Sequence, residues 1–368
     1  MGNISIYFYS GWLLYNLIWA ILMSLAARRV KKDQTHLFIG CFFFLFIILA
    51  ICGSPISPDY QQYVDIIKDV ASTRDPFTHI ESFYIWLIHI IGNNFLLYQV
   101  CVYIPLFTIL YLLTTIGWEI ENPIIYLLLF SIICLYSAIV GRVFLFIVVY
   151  LAGITLIVRK KYTLGIILLI SSFLFHKLSY IGLLISPLFF FPFNYNKRFL
   201  IIVAISLIVM ILASRSILDY YFNELYAGLG ELPGKDYLLK TEWVNEGGSL
   251  WWRIIYLYQV TFKYVISISA LYYLKPYLKK LSPTARTMYI LLFWVSIISL
   301  YLYCIGLPDT TIAGRTQYIS IIPLCYVVSI IPNFRPIPKG IKISFFLGCV
   351  IYILLNNAYI VGVSHIIL

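Results

Sequence analysis

Long uninterrupted apolar runs constrain this chain more than any other feature. Residues 287–306, TMYILLFWVSIISLYLYCIG, hold no charged side chain over 20 positions, which is the length that a helix needs to cross the hydrocarbon core of a bilayer. The runs are continuously apolar rather than alternating, so they predict helices and not the strands of a barrel. Only 11% of the 368 residues are charged. A soluble globular domain is therefore excluded, because such a chain has too few charged residues to cover a water-exposed surface.

The apolar runs predict an all-α fold, a polytopic transmembrane helical bundle of about twelve spans. A single integral membrane domain is expected over residues 1–368. The segment 81–92, ESFYIWLIHIIG, is apolar but too short to cross, so it is predicted to be an interfacial or re-entrant helix before the third span. The predicted spans are residues 5–26, 36–53, 94–116, 124–140, 142–158, 162–177, 178–193, 199–217, 253–274, 287–306, 312–331 and 341–361.

The basic residues predict the orientation of the bundle. Five short loops hold 16 of the 26 lysines and arginines. With twelve spans all five loops fall on one side, which the positive-inside rule assigns to the cytoplasm. Two larger loops, 54–80 and 218–252, then lie outside and are rich in Tyr, Trp, Asp and Glu. The cytoplasmic loops also account for the net charge of +11, so no nucleic-acid partner is expected.

Several charged residues lie at the external ends of separate predicted helices. Arg142 and the pair His176 and Lys177 lie at short turns between spans, Asp59 follows the second span, and Arg315 lies at the start of the eleventh. Two interpretations are open. Long basic side chains at helix ends snorkel to lipid phosphates. Alternatively, several charged residues on short turns enclose a small polar cavity, in which arginine is suited to bidentate phosphate recognition.

Nothing in the sequence predicts a cofactor or a metal. It contains no nucleotide-binding loop, no zinc-protease motif and no serine-hydrolase elbow. The seven cysteines lie in apolar runs without the spacing of metal ligands, which is typical of small buried residues.

Five short stretches follow one another in an order that is known from one family. They are SPDYQQYVDII, ESFYIWLIHIIGN, YSAIVGRVFLFIVVYLAGI, SSFLFHKLSYIGLL and AGRTQYISIIPL. Together they resemble the motifs of the EpsG-like, Wzy-type polymerases of O-antigen and exopolysaccharide. The chain departs from the family pattern at Pro58, Ser82 and Val143, where the family usually has Gly, Pro and Gln.

The resemblance implies a multi-pass glycosyltransferase of the bacterial inner membrane that acts in polysaccharide or lipopolysaccharide biosynthesis. Such a polymerase joins undecaprenyl diphosphate-linked oligosaccharide units on the periplasmic face and releases undecaprenyl diphosphate. Its expected partners are this lipid-linked oligosaccharide, membrane lipid and a protein that regulates chain length.

Four residues are predicted to carry that reaction. Arg142 and Arg315 are assigned to the departing diphosphate, because fixed cations in a site of low dielectric stabilise developing negative charge without a metal. Asp59 or His176 is assigned to the proton of the attacking hydroxyl, and the sequence does not choose between them.

Four further residues are predicted to contact substrate. Tyr60, Tyr63 and Glu81 are expected to shape the acceptor site, and Lys177 is expected to assist at the diphosphate. Other functions remain open. A flippase or carrier of lipid-linked oligosaccharide suits twelve spans, although carriers often show paired halves and no internal repeat is visible. An O-antigen ligase would use the same diphosphate donor, and a membrane acyltransferase is a further rival.

Overall fold

The structure is a computed structural model that describes residues 34–53, 60–72, 81–118, 126–127, 130, 142–176, 179–189, 196–213, 263–305, 311–345, 347–348 and 351. Every regular element within these ranges is helical and none is a strand, as the continuous apolar runs predict. The predicted span 5–26, most of 124–140 and the external loop 218–252 lie outside the described residues.

The described helices are numbered here in chain order, with short 3₁₀ or π turns extending several of them. They are α1 (Thr35–Gly53), α2 (Tyr60–Ser72), α3 (Ser82–Ile91), α4 (Phe95–Leu112, continued by a π turn, Leu113–Gly117), α5 (Arg142–Val158), α6 (Tyr162–Ser171), α7 (Ser179–Ile185), α8 (Lys197–Ala213), α9 (residues 263–274), α10 (Pro283–Ile305), α11 (Thr311–Ile330) and a last helical segment, α12, that begins at residue 339.

The composition and exposure of these helices are consistent with a membrane protein. Phe95–Gly117 and Pro283–Leu302 are long and apolar enough to cross a bilayer, and shorter apolar helices accompany them among the described residues. Large apolar side chains also face outward, including Leu164, Ile167 and Ile170 on α6. Exposed apolar surface of this kind marks a lipid or protein contact, because water would make it an aggregation site.

Neighbouring helices in the N-terminal half run in alternating directions. Gly40 of α1 lies opposite Tyr111 of α4, and the rings of Phe43 and Phe107 are 6.1 Å apart, so α1 and α4 are antiparallel. The α5–α6 hairpin crosses at Gly153 and Gly165. A Cβ atom on Gly165 would lie 2.9 Å from the Gly153 carbonyl oxygen, so the absence of side chains lets the two backbones approach closely.

The C-terminal half follows the same alternation. The Tyr289 hydroxyl of α10 donates to the Leu271 carbonyl of α9 at 2.6 Å, and the Tyr264 hydroxyl shares a hydrogen bond with the Ser299 hydroxyl. Residues later in α9 thus contact residues earlier in α10, so the two helices are antiparallel. These directions fit the order of the predicted spans.

Contacts of Trp118 show how α5 and α11 are positioned relative to each other along the bundle axis. Its indole Nε1 donates to Thr155 Oγ1 at 3.0 Å, and its ring packs edge-on against Tyr326 with the centroids 5.7 Å apart. Arg142 lies thirteen residues before Thr155, and Arg315 lies eleven before Tyr326, which is about 20 and 17 Å along a helix. Helices of a bundle run nearly parallel or antiparallel. Only a few residues of α5 follow Thr155, and only a few residues of α11 follow Tyr326. Both helices therefore extend from Trp118 toward one end of the bundle, called the Arg142 end below.

One described helix was not predicted. The segment 54–80 was assigned to an external loop, yet Tyr60–Ser72 within it forms α2. Its apolar residues recur at helical spacing, and Ile67 and Val70 are buried against the bundle. A search for long apolar runs misses such a helix, because only one of its faces is apolar.

Candidate functional site

The first residue of α5 organises a buried polar cluster at the Arg142 end. The guanidinium of Arg142 donates through Nε to the Tyr63 hydroxyl and through Nη1 to Glu81 Oε2, each at 3.2 Å. The arginine side chain is 18% exposed and the glutamate side chain 8%. Three separated segments meet here: Tyr63 lies on α2, Glu81 immediately precedes α3, and Arg142 begins α5.

The second oxygen of the same carboxylate faces an imidazole. His176 Nε2 lies 3.9 Å from Glu81 Oε1, and its side chain is 12% exposed. The ring is stacked on Phe146, with the centroids 6.3 Å apart. His176 comes directly after the turn that ends the α6 segment. Glu81 therefore lies between an arginine and a histidine that the chain brings from different helices.

Aromatic rings enclose the guanidinium. The Arg142 Cζ atom lies 4.8 Å from the centre of the Tyr63 ring and 5.7 Å from that of Tyr84, distances at which a cation is attracted to a ring face. The Tyr84 hydroxyl donates to the Arg142 carbonyl oxygen at 3.4 Å. Burial raises the pKa of Tyr84 well above its usual value, so this phenol keeps its proton and remains a donor.

Sequence reasoning missed Tyr84. The sequence signal for Tyr84 was its position three residues after Glu81, in the first turn of the helix that Glu81 precedes. In a chain with 32 tyrosines, that spacing alone does not single it out.

The cluster retains donor capacity for a ligand. An arginine side chain has five N–H groups in a planar fork. Among the described residues, the hydrogen bonds of Arg142 are those from Nε and Nη1, and its Nη2 group makes none. The fork is thus held in place by Tyr63 and Glu81 while one edge remains able to bind an oxyanion.

Four of the predicted site residues come together in this cluster: Tyr63, Glu81, Arg142 and His176. The other four are not placed in the same detail. Asp59 and Lys177 lie outside the described residues. Tyr60 begins α2 and Arg315 lies in the first turns of α11, but the structure describes only the backbone of these two residues.

No cluster suited to a metal occurs in the described part of the chain, where no three His, Cys, Asp or Glu side chains converge. In the same part of the chain, an arginine and a histidine face the Glu81 carboxylate, so its described partners are cationic or potentially cationic.

Comparison with known proteins identifies the family. No curated protein and no solved structure gives a significant match to the chain. A family model described as the EpsG family matches residues 6–366, and this match confirms the resemblance carried by the five sequence stretches. Since the match covers almost the whole sequence, the chain belongs to the EpsG family.

Proposed function

We propose that this protein is a polysaccharide polymerase with about twelve membrane spans, whose site faces the periplasm of a bacterial inner membrane. It joins undecaprenyl diphosphate-linked oligosaccharide units into O-antigen or exopolysaccharide. Membership of the EpsG family suggests a polysaccharide-related polymerase. The observation that carries the proposal is the buried cluster of Tyr63, Glu81, Arg142 and His176.

The proposed reaction is a displacement at the anomeric carbon of the donor. A hydroxyl of the acceptor sugar attacks that carbon, and a new C–O bond forms as the C–O bond to the diphosphate breaks. The hydroxyl proton passes to a base on the protein, and the departing undecaprenyl diphosphate keeps the bonding electron pair. The protein therefore has to stabilise an anion and accept a proton in one small volume.

Arg142 is suited to the first task. Its guanidinium is oriented before substrate arrives, because Tyr63 holds Nε and Glu81 holds Nη1. The Nη2 edge can then donate to a diphosphate oxygen without a rearrangement of the side chain. Preorganised donors of this kind are worth about 100-fold or more in rate. Arg315, which belongs to the same end of the bundle, is proposed to assist it.

His176 is suited to the second task. When its imidazole takes a proton, the resulting cation lies beside the Glu81 carboxylate at 3.9 Å, and an adjacent opposite charge favours the charged form. Asp59 remains the rival base. Glu81 is proposed to orient both the arginine and the histidine, and Tyr60, Tyr63 and Lys177 to line the sites of the sugar and the diphosphate.

Arg142→Lys tests the role of the arginine. Lysine keeps a positive charge opposite Glu81 but loses the planar fork. We expect polymer formation from purified lipid-linked units to fall about 100-fold or more, while the amount of protein in the membrane stays normal. Arg286→Lys changes an exposed arginine in the same way and should leave activity intact. Normal polymer length in Arg142→Lys would leave Arg142 with a purely structural role.

The class of reaction is tested in a strain that lacks the gene. Loss of a polymerase leaves lipid A capped with single repeat units. Loss of a ligase leaves lipid-linked polymer that is not transferred to lipid A, and loss of a flippase traps repeat units on the cytoplasmic face. A gel of surface polysaccharide together with analysis of the lipid carrier separates the three, and either of the last two patterns would contradict the proposal.

A further inference from the structure

A second buried cation lies at the Arg142 end, on a different pair of helices. Lys263 of α9 is 7% exposed. Its ammonium donates to the Gln317 carbonyl of α11 at 3.3 Å and lies 6.0 Å from the centre of the Tyr318 ring. Gln317 follows Arg315 by two residues on α11. Both residues precede Tyr326, which packs against Trp118, so their distance along the helix places them at the Arg142 end.

A lysine that is buried between apolar helices is unusual. An ammonium is costly to bury in an apolar bundle, so ionisable residues inside membrane helices usually mark substrate or ion sites. A second buried polar group accompanies it: Gln317 is 5% exposed, and in the described part of the chain its side-chain Nε2 has no hydrogen-bond partner. A buried amide donor without an acceptor is unfavourable unless a ligand supplies one.

The proposed reaction requires more positive charge than the Arg142 cluster provides. A lipid-linked diphosphate carries at least two negative charges, and a polymerase holds two such lipids, one as donor and one as acceptor. The single positive charge of Arg142 is already balanced by the Glu81 carboxylate, whose Oε2 lies 3.2 Å from Nη1. A further cation at the same end of the bundle would match the remaining negative charge.

We propose that Lys263 binds the diphosphate of a lipid-linked substrate, together with the Gln317 side-chain amide on α11. This inference rests on the proposed polymerase function and assigns a residue to it that sequence reasoning passed over. Lysine acts at such a site as a point charge rather than as a fork, so its role complements that of Arg142. The diphosphate would bridge α9 and α11 at the point where Lys263 now meets the α11 backbone.

Binding of inorganic diphosphate to the purified full-length protein tests the inference without requiring turnover. We expect Lys263→Met, which keeps the length of the side chain and removes its charge, to weaken binding about tenfold or more, as expected for a charge-assisted hydrogen bond. Lys263→Arg should restore most of the affinity. Two controls should bind like wild type: Ser267→Ala, one turn along the same helix, and Lys161→Met, which removes an exposed charge.

The outcomes separate this inference from the proposed function. If Lys263→Met binds diphosphate as tightly as wild type, or if wild type does not bind it, the inference is wrong. Polymer formation by wild type from lipid-linked units is scored independently, so it can still support a polymerase in either case. If Lys263→Met does not accumulate, Lys263→Gln replaces it, and retention of wild-type affinity in that variant would equally overturn the assignment.

Discussion

Aromatic residues pack at both ends of α5, but the polar groups at the two ends have different kinds of partner. At the Trp118 end, the indole N–H meets the Thr155 hydroxyl, which in turn donates to the Leu151 carbonyl at 2.7 Å. Each of these groups has a neutral partner. At the Arg142 end, a carboxylate, a guanidinium and an imidazole lie together, and one edge of the guanidinium is not used by the described residues.

This difference is the one expected between a packing contact and the proposed binding site. Neutral hydrogen bonds satisfy buried groups and join helices at little cost. A buried ion pair adds little net stability to a helix contact, because the cost of desolvating the two charges offsets much of their attraction. Removal of one partner nevertheless costs about 3–5 kcal/mol, since it leaves the other charge buried and unpaired. Among the described residues, the Arg142 end leaves donor capacity that packing does not use, and the proposed ligand would bind there. The predictions below test whether the two ends differ in this way.

The largest effect is expected from loss of the base. If His176 accepts the proton, His176→Ala should lower polymer formation by about 100- to 10,000-fold, the usual contribution of a general base. Asp59→Asn should then retain substantial activity. If Asp59 is the base, Asp59→Asn should be the inactive variant and His176→Gln should keep activity, since glutamine preserves a hydrogen bond. The measurement is polymer length from purified lipid-linked units, and full activity in both His176→Ala and Asp59→Asn would remove both candidates.

A smaller effect is expected from Glu81, which acts through its neighbours. Glu81→Gln keeps the shape of the side chain and one hydrogen bond to Arg142, but it removes the charge that favours a protonated His176. Loss of one charge-assisted interaction corresponds to about tenfold in turnover. Initial rates at saturating and limiting substrate should show the loss in kcat rather than in KM. A change in KM alone would instead place Glu81 in substrate binding, as the sequence predicted.

Apart from α2, the described helices of this fold could be predicted from the sequence, whereas the contacts between them could not. The run 142–158 coincides with α5, and 36–53 differs from α1 by one residue, because charged residues or a Ser-Pro pair bound these apolar runs. The pairing of Glu81 with Arg142 joins residues 61 positions apart and depends on how α3 packs against α5. Sequence reasoning placed both residues at the external end but assigned them to different substrates.

At the far end of α5, mutations should alter stability and leave chemistry unchanged. A methyl group on Gly165 would lie 2.6 Å from Ile157 Cγ1 and 3.0 Å from the Ile157 backbone nitrogen, so Gly165→Ala should push α5 and α6 apart. Overpacking of this kind costs about 1–3 kcal/mol. We expect a lower melting temperature in detergent but normal polymer formation per folded molecule. Gly40→Ala is the control, because its added methyl would meet Tyr111 at an ordinary 3.5 Å.

The smallest effect is expected from the hydrogen bond between Trp118 and Thr155. Trp118→Phe retains an aromatic ring against Tyr326 but removes the indole N–H that donates to Thr155 Oγ1. Thr155→Val keeps the shape of the threonine and removes the acceptor. Hydrogen bonds between membrane helices are worth about 0.6 kcal/mol on average in double-mutant cycles, so the coupling between these two substitutions should be of that size. Unfolding of the two single variants and the double variant measures it, and polymer length should not change in any of them. A large loss of polymer in Trp118→Phe would mean that this end of α5 also serves the reaction, and the distinction between the two ends would fail.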